Sequence, residues 1–418
     1  MSFFSSFNGY IIYSPTTNKM KFLIQKLFVL LIITSFMSCN EKKKGTEEIG
    51  MEETTTDVLA EAVEHQTPKP IEPGTKAIDF NLPGVDGKNY SLKDFENHET
   101  LVMLFTCNHC PTAQAYEDKF IEIVTAYKDK GIGFVAISPN ADSAISLSEL
   151  GYSDMSDSLE EMKLRAKNKK YNFPYLYDGE TQEASLAYGP LATPHVFVFD
   201  KSRTLIYSGR IDDTENPYIA PKTTDLIHTL DAIVSGNEIP TAKTKTFGCS
   251  VKWSWKGEWA KTQLVEWAKD SVSINEINLE EVDVLFKNGS GKLRLINIWA
   301  TWCGPCIIEM PELVTIDRMY RDRDFELILL SADKIGRKEK ALKILTKKEA
   351  SNTNYIYNGD DIYDLIEAVD PEWQGSLPYT ALVTSEGKVL YKIEGTFDPP
   401  ELKLAIVEHL GRFYADNE

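Results

Sequence analysis

Positive charge, cysteine and long apolar runs are all scarce in this 418-residue chain. Only 45 Lys and Arg stand against 63 Asp and Glu, a net charge of -18, which opposes contact with a phosphate backbone and argues against nucleic acid as a partner. No glycine-rich loop opens a helix behind a strand, so no nucleotide is expected, and the chemistry set out below needs no dissociable cofactor. No apolar run reaches the ~20 residues of a spanning helix. The six cysteines stand at 39, 107, 110, 249, 303 and 306, and no two close pairs lie within zinc-finger distance, so a structural metal is not expected. The remainder, 42% hydrophobic and 11% aromatic, is ample for cores, and the length suggests two or three domains.

The most informative stretch is LINIWATWCGPCIIEMPEL, residues 295–313. Leu295, Ile296, Ile298 and Trp299 make an apolar, partly β-branched run of strand length, closed by Thr301 and Trp302. A helix is predicted to begin at the cysteines, because Pro305 fits a first turn and Ile307, Met310 and Leu313 continue at helical spacing. Cys303 is thereby placed at a helix N-terminus, where unpaired N–H groups and the helix dipole favour thiolate over thiol. Cys303 is expected to attack disulfides and Cys306, three residues on, to close the ring.

An earlier segment repeats the pattern. LVMLF at 101–105 feeds Cys107, Asn108, His109 and Cys110, with Pro111 just inside a helix carrying Tyr116, Phe120 and Ile123. Around it residues 77–82 read as a strand with a tight turn at 84–87, followed after the cysteine helix by strand GIGFVAIS, helix LEEMKLRAKN, strand FPYLY, a short helix, Thr193-Pro194, the hairpin HVFVFD/RTLIYSG and a closing helix. The second half runs in the same order through Leu377-Pro378 and YTALVT to helix LKLAIVEHL. The chain is read as an internal duplication, α/β in class, each copy a mixed central sheet covered by helices on both faces. The expected divisions are an export signal over 1–39, a flexible tether over 40–72, a domain over 73–240, a connector with Cys249 over 241–273, and a second domain over 274–418.

These motifs resemble the thioredoxin superfamily, which implies two tandem thioredoxin-like domains. NIWATWCGPCIIEMPEL looks like the membrane-tethered periplasmic thioredoxins that reduce apocytochromes and other exported substrates. That resemblance implies that Glu309, three residues after Cys306, relays a proton, which agrees with their shared helix face. It also implies that Pro194 and Pro378 are cis, and that they, with Thr193, Leu377 and Trp302, seat a substrate chain beside the sulfurs. The first domain resembles the peroxiredoxin-like branch through FTCNHCP, GRIDD at 209–213 and FGCSVKW at 247–253, although Met103 and Leu104 stand where that family has Pro and Thr. Cys107 and Cys110 are expected to act in parallel with Cys303 and Cys306. A histidine at a helix N-terminus can stabilise the Cys107 thiolate, so His109 predicts a more oxidising first pair and electron flow from the second domain to the first.

Two other readings come from different classes. One is a thiol-dependent peroxidase in the first domain, with Arg210 as a candidate for polarising the peroxide, against an ion pair with Asp212 or Asp213. The other is copper held by Cys107, Cys110 and His195, against a hydrogen-bonded strand histidine. Cys249, among Phe247, Trp253, Trp255 and Trp259, reads as a buried hydrophobe or as a third thiol. At the N-terminus, MKFLIQKLFVLLIITSFMSC from Met20 reads as an export signal, and Ser38-Cys39 resembles a lipoprotein signal in which Cys39 is acylated. The protein is therefore expected in the periplasm on a lipid anchor, taking electrons from a membrane donor and serving exported thiol or disulfide proteins.

Overall fold

The computed structural model describes residues 66–214, 216 and 219–413. The export signal, Cys39 and residues 40–65 of the expected tether lie outside the described residues.

In the first half the elements are β1 (Leu82–Pro83), β2 (Asn89–Tyr90), β3 (Thr100–Phe105), α1 (Pro111–Tyr127), β4 (Ile132–Ser138), α2 (Leu159–Lys169), β5 (Tyr175–Tyr177), α3 (Glu183–Tyr188), β6 (Ala192–Thr193), β7 (His195–Phe199), β8 (Leu205–Gly209) and α4 (Asp225–Val234), then β9 (Cys249–Ser250) and α5 (Gly257–Trp267). The second half holds β10 (Asn275–Ile277), α6 (Leu279–Lys287), β11 (Leu293–Trp299), α7 (Gly304–Tyr320), β12 (Phe325–Ser331), α8 (Lys338–Lys347), β13 (Thr353–Tyr357), α9 (Ile362–Val369), β14 (Tyr379–Val383), β15 (Val389–Glu394) and α10 (Pro399–Leu410).

Two mixed sheets result, ordered β5-β4-β3-β7-β8 and β10-β13-β12-β11-β14-β15. In each the cysteine-bearing strand, β3 or β11, is central, with a parallel neighbour on one side and an antiparallel hairpin on the other. Central strands covered on both faces are predominantly apolar, and β3 and β11 are buried throughout, with Asn297 a polar residue near the middle of β11. The side chains divide between the faces: Val102 and Leu104 join one core, Leu101, Met103 and Phe105 the other. Both halves are thioredoxin-like folds.

Two sequence-based expectations need correction. Residues 77–82 form no full strand; only β1 forms, because this edge makes a short hairpin with β2 and single contacts such as the Ala77 N–H donated to the Arg203 carbonyl. The end of the tether is docked, since the Ile71 N–H donates to the Tyr188 carbonyl and Lys243 pairs with Glu72. The connector, for which no element was expected, packs on the first domain. β9 pairs with β6 of the first domain, and Val251 and Trp253 are buried. The loop 145–154 of the first domain packs on α7 of the second: Ile145 and Leu150 share its core, Tyr320 donates to the Ser153 carbonyl at 2.8 Å, and Arg412 pairs with Asp154 at 2.5 Å.

Candidate active site

In the second domain Cys303 is 5% and Cys306 0% exposed, and it is the residues beside them that reach solvent. Cys303 is the N-cap of α7 and its Sγ accepts the Cys306 N–H at 3.2 Å, one of the amides a helix start leaves unpaired. Cys303 and Cys306 form a disulfide. Trp302 is 63% and Ile308 80% exposed, so apolar surface flanks the sulfurs. Asp333 pins the approach, accepting the Thr301 N–H at 2.6 Å and the Thr301 hydroxyl at 2.8 Å. Leu377-Pro378 is cis, and among the described residues no strand pairs with Leu377.

Glu309 lies one turn behind Cys306. Its Oε1 accepts from the Asn297 Nδ2 at 3.0 Å, and its Oε2 has no hydrogen-bond partner among the described residues. Burial raises its pKa to about 7, against the weaker pulls of that hydrogen bond and of the nearby Phe397 N–H. Asn297, fully buried in β11, also donates to the Thr380 hydroxyl at 3.0 Å. The sequence reading missed it, though a polar residue splitting the run Leu295-Ile296 from Ile298-Trp299 was the visible signal.

The first site does not follow the same register. Phe105 pairs with His195 and Ile298 with Tyr379, each the residue just after the cis proline, so these two positions correspond. Counting on from them, Cys303 is matched by Cys110, Cys306 by Ala113 and Ala300 by Cys107. The helices agree, since α1 has Cys110 as its N-cap and α7 has Cys303. The expectation that Cys107 attacks and Cys110 resolves is thereby corrected: the helix-terminal sulfur of the first domain is Cys110.

Cys107 and Cys110 are buried thiols, packed with Ala113 and Cys249. Cys107 Sγ lies 3.2 Å from the Thr193 hydroxyl, and the Cys110 thiol donates to the Thr193 carbonyl at 3.3 Å. Burial opposes charge on Cys110. Hydrogen bonds from Cys107 and Cys249, the charge of His109 and the Ala113 N–H outweigh it and hold Cys110 well below the ordinary thiol range. Burial, and then the hydrogen bond to Cys110, push Cys107 up. Thr193, expected to seat a client, is already paired with Cys249 of this chain's own β9, so its backbone edge is occupied.

His109 is also corrected. Its Nδ1 is bonded to Asp157 at 2.7 Å, while Asp157 also accepts the Asn108 and His109 N–H groups and the Asn140 amide. Burial alone would lower the His109 pKa, but the charge and hydrogen bond of Asp157 raise it, and burial of Asp157 is likewise outweighed so that its pKa falls. The His109 charge that lowers Cys110 therefore acts with its counter-ion Asp157 bonded to the same ring, and it favours the Cys110 thiolate rather than that of Cys107. Cys107, His109 and Asp157 do offer ligand-type atoms within 4.8 Å, yet both Asp157 oxygens are spent on those four donors. His195 is no ligand. Its Nδ1 accepts the Leu191 N–H and its Nε2 meets the Ser208 hydroxyl at 3.1 Å, and burial pushes it down to about 3. Arg210 pairs with Asp225 at 2.8 Å rather than Asp212 or Asp213, and Met103 is a core residue.

Similarity to known proteins follows the same division. The Redoxin family matches residues 72–225 and, a second time, residues 236–408. The thiol-disulfide oxidoreductase ResA of Bacillus cereus (strain ATCC 10987 / NRS 248) is 28% identical over 142 residues, 34% of this chain and 77% of that protein. ResA of Bacillus subtilis (strain 168) is 29% identical over 110 residues, 25% of this chain and 55% of that protein. Among solved structures, a hypothetical protein of Sinorhizobium meliloti 1021 is 31% identical with a TM-score of 0.40, covering 44% of this chain and 96% of that one.

Proposed function

Since the chain belongs to the redoxin family and is an oxidoreductase of the thioredoxin type, we propose that it exchanges disulfides with exported proteins from the cell envelope, working through its second domain. The observation that carries this reading is the disulfide at the start of α7, with a half-buried Glu309 behind it. A membrane electron donor first reduces Cys303–Cys306 to two thiols. Cys303, as thiolate, then attacks one sulfur of a client disulfide, forming a mixed disulfide and releasing the other client sulfur as thiolate. Cys306 gives its proton to Glu309 and attacks the Cys303 sulfur; the client's second thiolate leaves, and the ring closes. A carboxyl group poised at about 7 can both take and return that proton near neutral pH. Leu377, Pro378 and Trp302 form the surface on which the client strand would lie.

The envelope location rests on residues 20–39 alone. Metabolic labelling with a fatty acid, lost in Cys39→Ser, tests the anchor. For the activity, Cys306→Ser should accumulate mixed disulfides with clients, and the wild-type chain should reduce insulin when supplied with a dithiol. Absence of both, or turnover indifferent to Cys303→Ser, would overturn the reading.

A further inference from the structure

Cys249 has no part in that mechanism, yet its position is tightly determined. Gly248 stands at φ +126, and a Cβ there would lie 2.1 Å from the Thr193 carbonyl oxygen, so only glycine lets the chain come this close. On the other side Trp253 is buried and stacks on Trp255 at 5.1 Å. The Lys252 N–H donates to Asn140 at 2.8 Å and its carbonyl accepts from the Ala141 N–H and the Gln182 amide, both at 2.9 Å. The strand between these anchors pairs Cys249 with Thr193, the residue whose hydroxyl and carbonyl meet Cys107 and Cys110. Three sulfurs are thus gathered on one residue.

Their accessibility differs. Cys107 is 2% and Cys110 0% exposed, whereas Cys249 is half-buried. Ala113 stands where the second domain has Cys306, so no sulfur follows Cys110 on its own helix. The available partners for Cys110 are Cys107 before it and Cys249 across from it.

We propose that the first domain is a three-sulfur relay in which Cys249 is the sulfur that meets external disulfides and thiols, passing the bond inward to Cys110 and then Cys107. The inference rests on the reading that this chain exchanges disulfides. As thiolate, having lost its proton to water, Cys249 attacks an external disulfide R–S–S–R′, forming Cys249–S–S–R and releasing R′S⁻. Cys110 thiolate attacks the Cys249 sulfur, forming Cys110–Cys249 and releasing RS⁻. Cys107, losing its proton, attacks Cys110 and restores the Cys249 thiolate. The external disulfide gains two electrons and the Cys107/Cys110 pair loses two.

The test uses the full chain with Cys303→Ser and Cys306→Ser, fully reduced, then exposed to oxidised glutathione, quenched by alkylation at intervals and mapped by peptide mass spectrometry. Early samples should contain glutathione on Cys249 or a Cys110–Cys249 linkage, followed by Cys107–Cys110. Adding Cys249→Ser should slow formation of Cys107–Cys110 by about tenfold or more. If Cys107–Cys110 forms equally fast without Cys249, and Cys249 is alkylated throughout in the chain that keeps it, the relay is refuted while disulfide exchange at the first site stands. If no disulfide forms among the three sulfurs, the relay fails together with the disulfide-exchange reading of the first domain.

Discussion

Cys110 and Cys303 hold one place in two copies of a fold: each caps the helix behind the central strand, and each is reached by the same count from the residue paired beside the proline. Around that shared place the two sites diverge. Behind Cys303 stand Cys306 and a carboxyl; behind Cys110 stand Ala113 and Tyr116, and the other sulfurs approach from elsewhere. The second site faces solvent through Trp302, whereas in the first Asn108, His109 and Thr112 are all buried.

The assignment of Cys110 as the acidic thiol is open to titration. In the chain with Cys303→Ser and Cys306→Ser, ultraviolet thiolate absorbance should show a step below the ordinary thiol value of about 8.5. Cys110→Ser should abolish that step and Cys107→Ser should leave it. The opposite pattern would return the attacking role to Cys107.

At the second site the rate of mixed-disulfide resolution should change with an inflection near 7, set by Glu309. Glu309→Gln should remove the inflection and slow resolution by roughly a hundredfold. Stability should move in a defined direction too. The folded chain keeps this proton up to about 7 whereas a Glu in the unfolded chain releases it near 4.5, so between these values the folded state binds more protons. Stability against urea should therefore fall as pH rises through that window, and the Gln variant should lack this slope.

Asn297→Leu withdraws the amide from Glu309 and from the Thr380 hydroxyl. The rate inflection should move upward, because a donor favouring the carboxylate is gone. Urea denaturation should show a loss of about 1–3 kcal/mol for the buried acceptors left unpaired. An unmoved inflection would mean that Asn297 does not tune the carboxyl.

Asp157→Ala leaves the Asn108 and His109 N–H groups, the Asn140 amide and the His109 ring without their shared acceptor. Breaking a buried pair from one side is expected to cost about 3–5 kcal/mol, read from the denaturation midpoint. The His109 imidazole, followed by NMR, should then titrate below its ordinary value, since burial acts on it with no anion to compensate.

Gly248→Ala sets a methyl group against the Thr193 carbonyl at a φ that side chains rarely adopt. The variant should lose about 1–3 kcal/mol of stability, and Cys249 should be alkylated faster as β9 lifts from β6. An unchanged alkylation rate would show that β9 holds its place without the glycine.

Much of the fold could be read from the residues themselves. Apolar runs such as LVMLF and LRLINIW, each followed by cysteines and a proline-led helix, specify buried central strands and what comes after them, because burial on two faces and helix initiation are local demands. Glu309 was legible for the same reason, since three residues along a helix return to nearly the same face. The capping sulfur of the first helix was not. Proline is tolerated at the first or second helical position, and Pro111 takes the first while Pro305 takes the second, so the local sequence suits either register. Sheet pairing chose between them. Nor could Asp157 or Cys249 be assigned, because their contacts with the first site are made across long stretches of chain that only the packed fold brings together: hydrogen bonds and sulfur contacts act over a few ångströms, and sequence distance sets no such limit.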